Sequence, residues 1–251
     1  VRGLERFRDH FSAFGDRYVL IGGTACDLAM TDAGLDFRVT RDLDIVLCVE
    51  ALDQEFAKEF WSFVKAGGYE INETSTGEKR FYRFQRPTDD SYPEMLELFS
   101  RVPDALVITG ESVLTPIPID DEVSSLSAIL LDEDYYRWIH EGKTEIEGIP
   151  ALGAERLIPL KARAWLDLRE RREAGDRVDS KTIKKHKNDV FRLTQIVDPE
   201  YKASIPETIS DDMRRFIEEV EAEPPDLKTL GIKGVSFEQS VETLNAVYRL
   251  G

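Results

Sequence analysis

The stretch Tyr18–Val49, YVLIGGTACDLAMTDAGLDFRVTRDLDIVLCV, decides the fold. An apolar run, Val19–Ile21, ends in Gly22-Gly23, and Thr24 with Asp27 three positions on has the capping-box pattern that opens a helix. Gly34 closes that helix, and after Arg38 and Thr40 comes a second apolar strand, Leu43–Val49, with Asp42 and Asp44 at its mouth. Side chains alternate along a strand, so two carboxylates spaced by two project on one face.

That pattern suits metal-assisted phosphoryl chemistry. Parallel carboxylates can share Mg²⁺, a hard cation that keeps coordination positions for substrate phosphates. The glycine pair lets backbone approach a phosphate closely, and the free N–H groups of the following helix favour an anion. Asp27 places a negative charge in the first turn of that helix and is expected to face away from the phosphate.

Working outward, Leu4, Phe7, Phe11 and Phe14 recur at helical spacing, a core stripe on a helix over Leu4–Phe14. Ala51–Ala66 reads as a helix with Phe56, Phe60, Phe63 and Val64 inward, stopped by Gly67-Gly68. Tyr69–Asn72 and Lys79–Gln85 read as strands. In the next strand, Glu94–Ser100, Glu97 sits between Leu96 and Leu98; an acid there is costly to bury unless paired or metal-bound. Glu97 is therefore the candidate third carboxylate, with Glu94 its rival; the alternative is an edge strand that leaves Glu97 in water. Val113–Ile119 and Leu126–Leu131 read as extended, Asp132–Glu141 as a short helix and Lys143–Leu152 as a hairpin leading to a boundary near Gly153.

From Ala154 the pattern is helical: Leu157, Leu160, Ala164 and Leu168 form a stripe with Trp165 beside it. Pro159 marks a kink or a start later than Ala154. Lys161 lies on the inward stripe and needs an anionic partner, either a triphosphate or a structural carboxylate. Glu170–Asp179 reads as a charged loop, after which Ser180 caps a helix over Lys181–Val197 with Ile183, His186, Val190, Leu193 and Val197 inward and Asp189 flanking. Two further helices, Glu207–Ala222 and Phe237–Leu250, complete the chain. The expected organisation is an α+β domain over 1–152 and a helical domain over 153–251.

The 251 residues are 41% hydrophobic and 33% charged, as in soluble globular proteins. No apolar run is long enough to span a bilayer and no secretory leader is visible, so no membrane partner and a cytoplasmic location are expected. Cys26 and Cys48 fit reduced core residues, not a disulfide framework or a zinc motif. A net charge of −16 argues against indiscriminate coating of nucleic acid. Between Lys161 and Arg192, however, 11 Lys+Arg face 6 Asp+Glu, a local +5 that leaves −21 for the rest. Such a segment suits a polyphosphate, a nucleic-acid end or simply a solvated mixed-charge face. A dinucleotide-binding Rossmann domain is disfavoured, because the full G-x-G-x-x-G is absent.

Gly22-Gly23-Thr24-Ala25 followed by Arg38-x-Thr40-x-Asp42-Leu43-Asp44 resembles the polymerase-β-like nucleotidyltransferase superfamily. More closely, with Gly148-Ile149-Pro150, Leu157-Ile158-Pro159-Leu160-Lys161 and Lys187-Asn188-Asp189-Val190, it is similar to the AbiEii-type (abortive-infection) nucleotidyltransferases, some of which are toxins of toxin–antitoxin pairs. The resemblance covers roughly residues 15–195 and implies the polymerase-β-like fold, a mixed sheet flanked by helices. It further implies that Gly22, Gly23 and Thr24, with Arg38 and Thr40, bind an NTP, and that Asp42, Asp44 and Glu97 hold Mg²⁺. Lys161 would touch the triphosphate or base, and Asp189 would be a further active-site residue. The acceptor stays open: an RNA end such as tRNA, a protein, or a small hydroxylated molecule such as an antibiotic; an antitoxin partner is also implied. Gly23 stands where the superfamily often has Ser, and the third carboxylate is Glu where Asp is commoner.

Overall fold

A computed structural model describes residues 1–48, 53–70, 81–100 and 129–250, with Phe81 and Tyr82 described by backbone alone. The expected strand Val113–Ile119, residues 71–72 and 79–80 of two other expected strands, and the start of Leu126–Leu131 lie outside these residues. The described residues form two compact units. The first comprises Val1–Asp32, the described part of Arg38–Ile119, and Lys143–Leu152; the second comprises Ala33–Phe37 and the described parts of Asp120–Gly142 and Gly153–Gly251.

The first unit is built on a mixed sheet of six strands: β1 (Tyr18–Ile21), β2 (Asp42–Leu47), β3 (Phe81–Gln85), β4 (Met95–Phe99), β5 (Lys143–Ile146) and β6 (Ile149–Leu152), in the order β3-β4-β2-β1-β6-β5. β2 runs antiparallel to β1 and parallel to β4, β3 is antiparallel to β4, and β6 runs parallel to β1. Burial follows from this order. β1 and β2 have neighbours on both sides, and β1 and the Ile45–Leu47 end of β2 are continuous apolar runs, the signature of strands covered on both faces.

Helices at Leu4–His10 and Gln54–Gly67 supply an aromatic core to this unit. The Phe11 ring lies 4.6 Å from Phe7, 5.3 Å from Phe63 and 5.8 Å from both Phe56 and Phe60, centroid to centroid. The Phe stripes of the two segments are thus two halves of one cluster. The first helix stops at His10, and Ser12–Phe14 continues as a single 3₁₀ turn. Asp53 caps the later helix by accepting from the Phe56 N–H.

In the second unit, helices span Glu133–Glu141, Ala154–Glu173, Ser180–Thr194, Glu207–Ala222 and Phe237–Tyr248. Leu157, Leu160, Ala164, Trp165 and Leu168 are all buried, and Trp165 meets Phe216 edge-on at 5.2 Å. The helix containing Pro159 begins at Ala154, so a later start is not what the chain does. Proline removes the N–H that would bond the carbonyl four residues back, Glu155. That carbonyl instead accepts from the Tyr248 hydroxyl at 2.7 Å. A tyrosine distant in sequence thereby satisfies the group that proline leaves without a helical donor.

Several expected boundaries shift for identifiable reasons. The charged residues Glu170–Glu173 continue the helix, because an exposed face tolerates them; only Ala174–Asp179 connects to the next helix, and Asp179 caps it in place of Ser180. Ile129–Leu131, expected as extended, are helical; a short apolar run has no period that separates helix from strand. Cys26 and Cys48 are buried, and no helix among the described residues is long and apolar enough to cross a membrane.

Truncating Phe11, which is fully buried among these rings, is expected to cost about 3–5 kcal/mol. Urea unfolding of Phe11→Ala checks this; a loss below about 1 kcal/mol would show that the cluster does not hold the first unit together.

Candidate functional site

The strand pairing places the acids. In the parallel β2–β4 ladder Asp44 stands opposite Glu97, and in the antiparallel β3–β4 ladder Glu97 stands opposite Arg83. Arg83, Glu97 and Asp44 therefore form one row across three adjacent strands. Asp42, two residues before Asp44, lies on the same face at the strand's start and is half-buried. β4 is flanked on both sides, so Glu97 is not on an edge strand in water: Asp44 and Glu97 are 8% and 5% exposed.

The glycine pair closes the row at one end. Gly22, at φ +66°, lets the helix Gly22–Asp32 begin directly after β1. A Cβ on Gly22 would lie 1.6 Å from Asp44 Oδ2, so no other residue fits without moving that carboxylate. The Gly23 N–H donates to Asp44 Oδ2 at 3.3 Å. A Cβ on Gly23 would lie 2.5 Å from Thr40 Oγ1 and 3.6 Å from Arg38 Nη2, so both of these residues come up to the bend. Thr24 does not cap its helix as expected. It lies inside the helix, and its hydroxyl donates to the Asp42 carbonyl at 2.6 Å, tying helix to strand. The expected free N–H groups are also partly engaged, because Gly23 already gives its N–H to Asp44.

Glu97 is strongly perturbed. Burial pushes its pKa up to about 9, Asp44 adds to the rise by its charge and a side-chain hydrogen bond, and Arg83 pulls the other way. Arg83 Nε donates to Glu97 Oε1 at 2.6 Å, and Nη2 approaches the same oxygen. Burial and the neighbouring Asp44 charge thus favour the protonated form of the Asp44–Glu97 pair. Its titration belongs to the pair.

Arg83 was not among the candidates read from sequence. In KRFYRFQ it alternates as a solvent-facing residue would, yet it lies mid-strand, where a buried charge needs a partner. The matching anomaly, Glu97 between two leucines, was the available signal for the pair.

Lys161 and Asp189 belong to the second unit. They are buried, with Lys161 Nζ 3.9 Å from Asp189 Oδ2 and Arg192 Nη1 3.2 Å from Asp189 Oδ1. The inward lysine thus has a carboxylate partner within its own unit. Glu94, the rival to Glu97, is half-buried beside Arg41 at 3.3 Å.

Asp42, Asp44 and Glu97 offer carboxylate oxygens, which suit a hard divalent cation. Among the described residues no three or more His, Cys, Asp or Glu side chains converge tightly enough to hold a metal by themselves. Mg²⁺ is ordinarily held by one or two carboxylates and completed by water and phosphate, so the adjacent pair Asp44 and Glu97, with Asp42 nearby, fits it. No known family model matches this chain, and comparison with curated proteins finds no significant match.

The raised pKa has a consequence for stability. Between about 4.5 and 9 the folded protein keeps on Glu97 a proton that the unfolded chain releases, so the slope of stability with pH is negative there. The contribution is full below pH 4.5 and lost as pH rises towards 9. Glu97→Gln should flatten this fall relative to wild type in guanidinium unfolding between pH 5 and 9. Parallel curves for the two proteins would contradict the assignment.

Proposed function

We propose that the chain is a Mg²⁺-dependent nucleotidyltransferase of polymerase-β-like fold, similar to the AbiEii-type enzymes, that moves NMP from an NTP to an acceptor hydroxyl. The observation that carries the reading is the Asp44 carboxylate, held against the Gly22–Gly23 bend with Glu97 beside it from the neighbouring strand. The motif spacing GGTA…RxTxDLD supports the same reading from sequence.

In this scheme Asp42, Asp44 and Glu97 would hold the ion, which would supply positive charge against the phosphates and acidify the attacking hydroxyl. The backbone at Gly22 and Gly23 admits the triphosphate closely because no side chain stands there, and Arg38 and Thr40 reach the same bend to orient it. The acceptor oxygen attacks the α-phosphorus, the bond to the β-phosphate oxygen breaks, and pyrophosphate leaves. The acceptor's own proton passes to a carboxylate of the row or to solvent. Catalysis is then mainly positioning and charge neutralisation. Lys161 and Asp189 enter this reading only through the resemblance. The acceptor is an RNA end such as tRNA, a protein or a small hydroxylated molecule, and a toxin role with an antitoxin partner follows from the same resemblance.

A second reading is favoured by Arg83. Its pairing with Glu97 compensates a buried carboxylate without any metal, so the acids alone do not require catalysis. A catalytically degenerate module that binds nucleotide or a partner would keep this row.

Asp44→Asn should reduce transfer of label from α-³²P-NTP to total RNA or cell extract by at least about 100-fold with the fold retained. Pyrophosphate release separates the two readings: calorimetric binding of NTP and Mg²⁺ with no release favours the binding module. Wild-type transfer by the Asn variant would overturn the assignment.

A further inference from the structure

Arg83 and Glu97 are 11% and 6% exposed at their side chains, and the guanidinium reaches Glu97 Oε1 from both Nε and Nη2. The pair is a buried, charge-assisted contact between neighbouring strands. The opposing backbone register fixes it, since Arg83 faces Glu97 across β3–β4 and Glu97 faces Asp44 across β2–β4. Glu97 is thus shared between a fixed cation on one side and the proposed metal carboxylate on the other.

We propose that Arg83 is a positioning residue that serves as a built-in counter-cation for Glu97, so that an incoming divalent ion competes with it and binds more weakly than the carboxylates alone would allow. The inference rests on the nucleotidyltransferase reading of the Asp44 site. Its physical basis is simple. A fixed positive charge in contact with one ligand repels a second cation at the same carboxylate, and low local polarity strengthens the effect. The same pair also keeps Glu97 in the row before any ion arrives, where an unpartnered buried acid would be costly. Arg83 thereby sets an ion-affinity threshold, and a nucleotide that brings its own negative charge with the ion offsets the repulsion.

The test uses Mn²⁺ alone, without nucleotide, titrated into full-length wild type, Arg83→Gln, Arg83→Lys and Asp44→Asn and followed by calorimetry and by loss of the free-ion paramagnetic signal. Arg83→Gln is expected to bind Mn²⁺ about tenfold more tightly than wild type, the low end of the range over which groups behind a metal ligand change affinity but opposite in sign, because here the group is a competing cation. Arg83→Lys keeps the charge but cannot bring two nitrogens to one oxygen, so it should fall in between. If the Gln variant melts below the assay temperature, the Lys variant carries the comparison. Unchanged or weaker Mn²⁺ affinity in a folded Arg83 variant overturns the counter-cation role, while binding by wild type that Asp44→Asn abolishes leaves the site reading standing. No Mn²⁺ binding by any of the proteins sinks both.

Discussion

Everything in the first unit is arranged around a carboxylate pair that would repel itself if fully ionised. Asp44 and Glu97 face each other across a parallel ladder, out of water, and coexist because one proton and one guanidinium share the charge between them. The Gly22–Gly23 bend is the other half of the constraint. A side chain at Gly22 would occupy the place of the Asp44 oxygen, so the sharp passage from β1 into a helix and the presence of the acid are mutually dependent.

The sheet order explains why these groups meet. β2 and β4 are parallel neighbours, with β1 on the far side of β2, so the end of β1 and the starts of β2 and β4 open on a common region of the sheet. The aromatic cluster of Phe7, Phe11, Phe56, Phe60 and Phe63 packs the same unit, giving the row a rigid support. In the second unit several charges are met internally, with Lys161 and Arg192 on Asp189 and Arg163 with the Tyr135 hydroxyl on Asp212.

Much of this was legible in local sequence. Helical stripes, the glycine bend and the spacing of Asp42 and Asp44 are periodic or contiguous signals, and Glu97 stood out as an acid in an apolar strand. What was not legible depends on long-range register. Arg83 looks like an ordinary surface residue until β3 is laid beside β4, and Thr24 looks like a cap until the Asp42 carbonyl is found beneath it. Pro159 looks like a helix breaker because its compensating hydroxyl, Tyr248, lies 89 positions away in the chain. Local patterns report which face a residue prefers; they do not report which strand or helix will meet it.

Under the proposed metal-binding role, the proton shared by the Asp44–Glu97 pair gives way to a cation. Side-chain carboxyl ¹³C NMR of glutamate-labelled protein, assigned with Glu97→Gln, measures this directly. Glu97 should titrate near 9 in the metal-free protein and at distinctly lower pH once Mg²⁺ and a non-hydrolysable NTP are added. A Glu97 resonance that titrates near 4.5 in both states would contradict it.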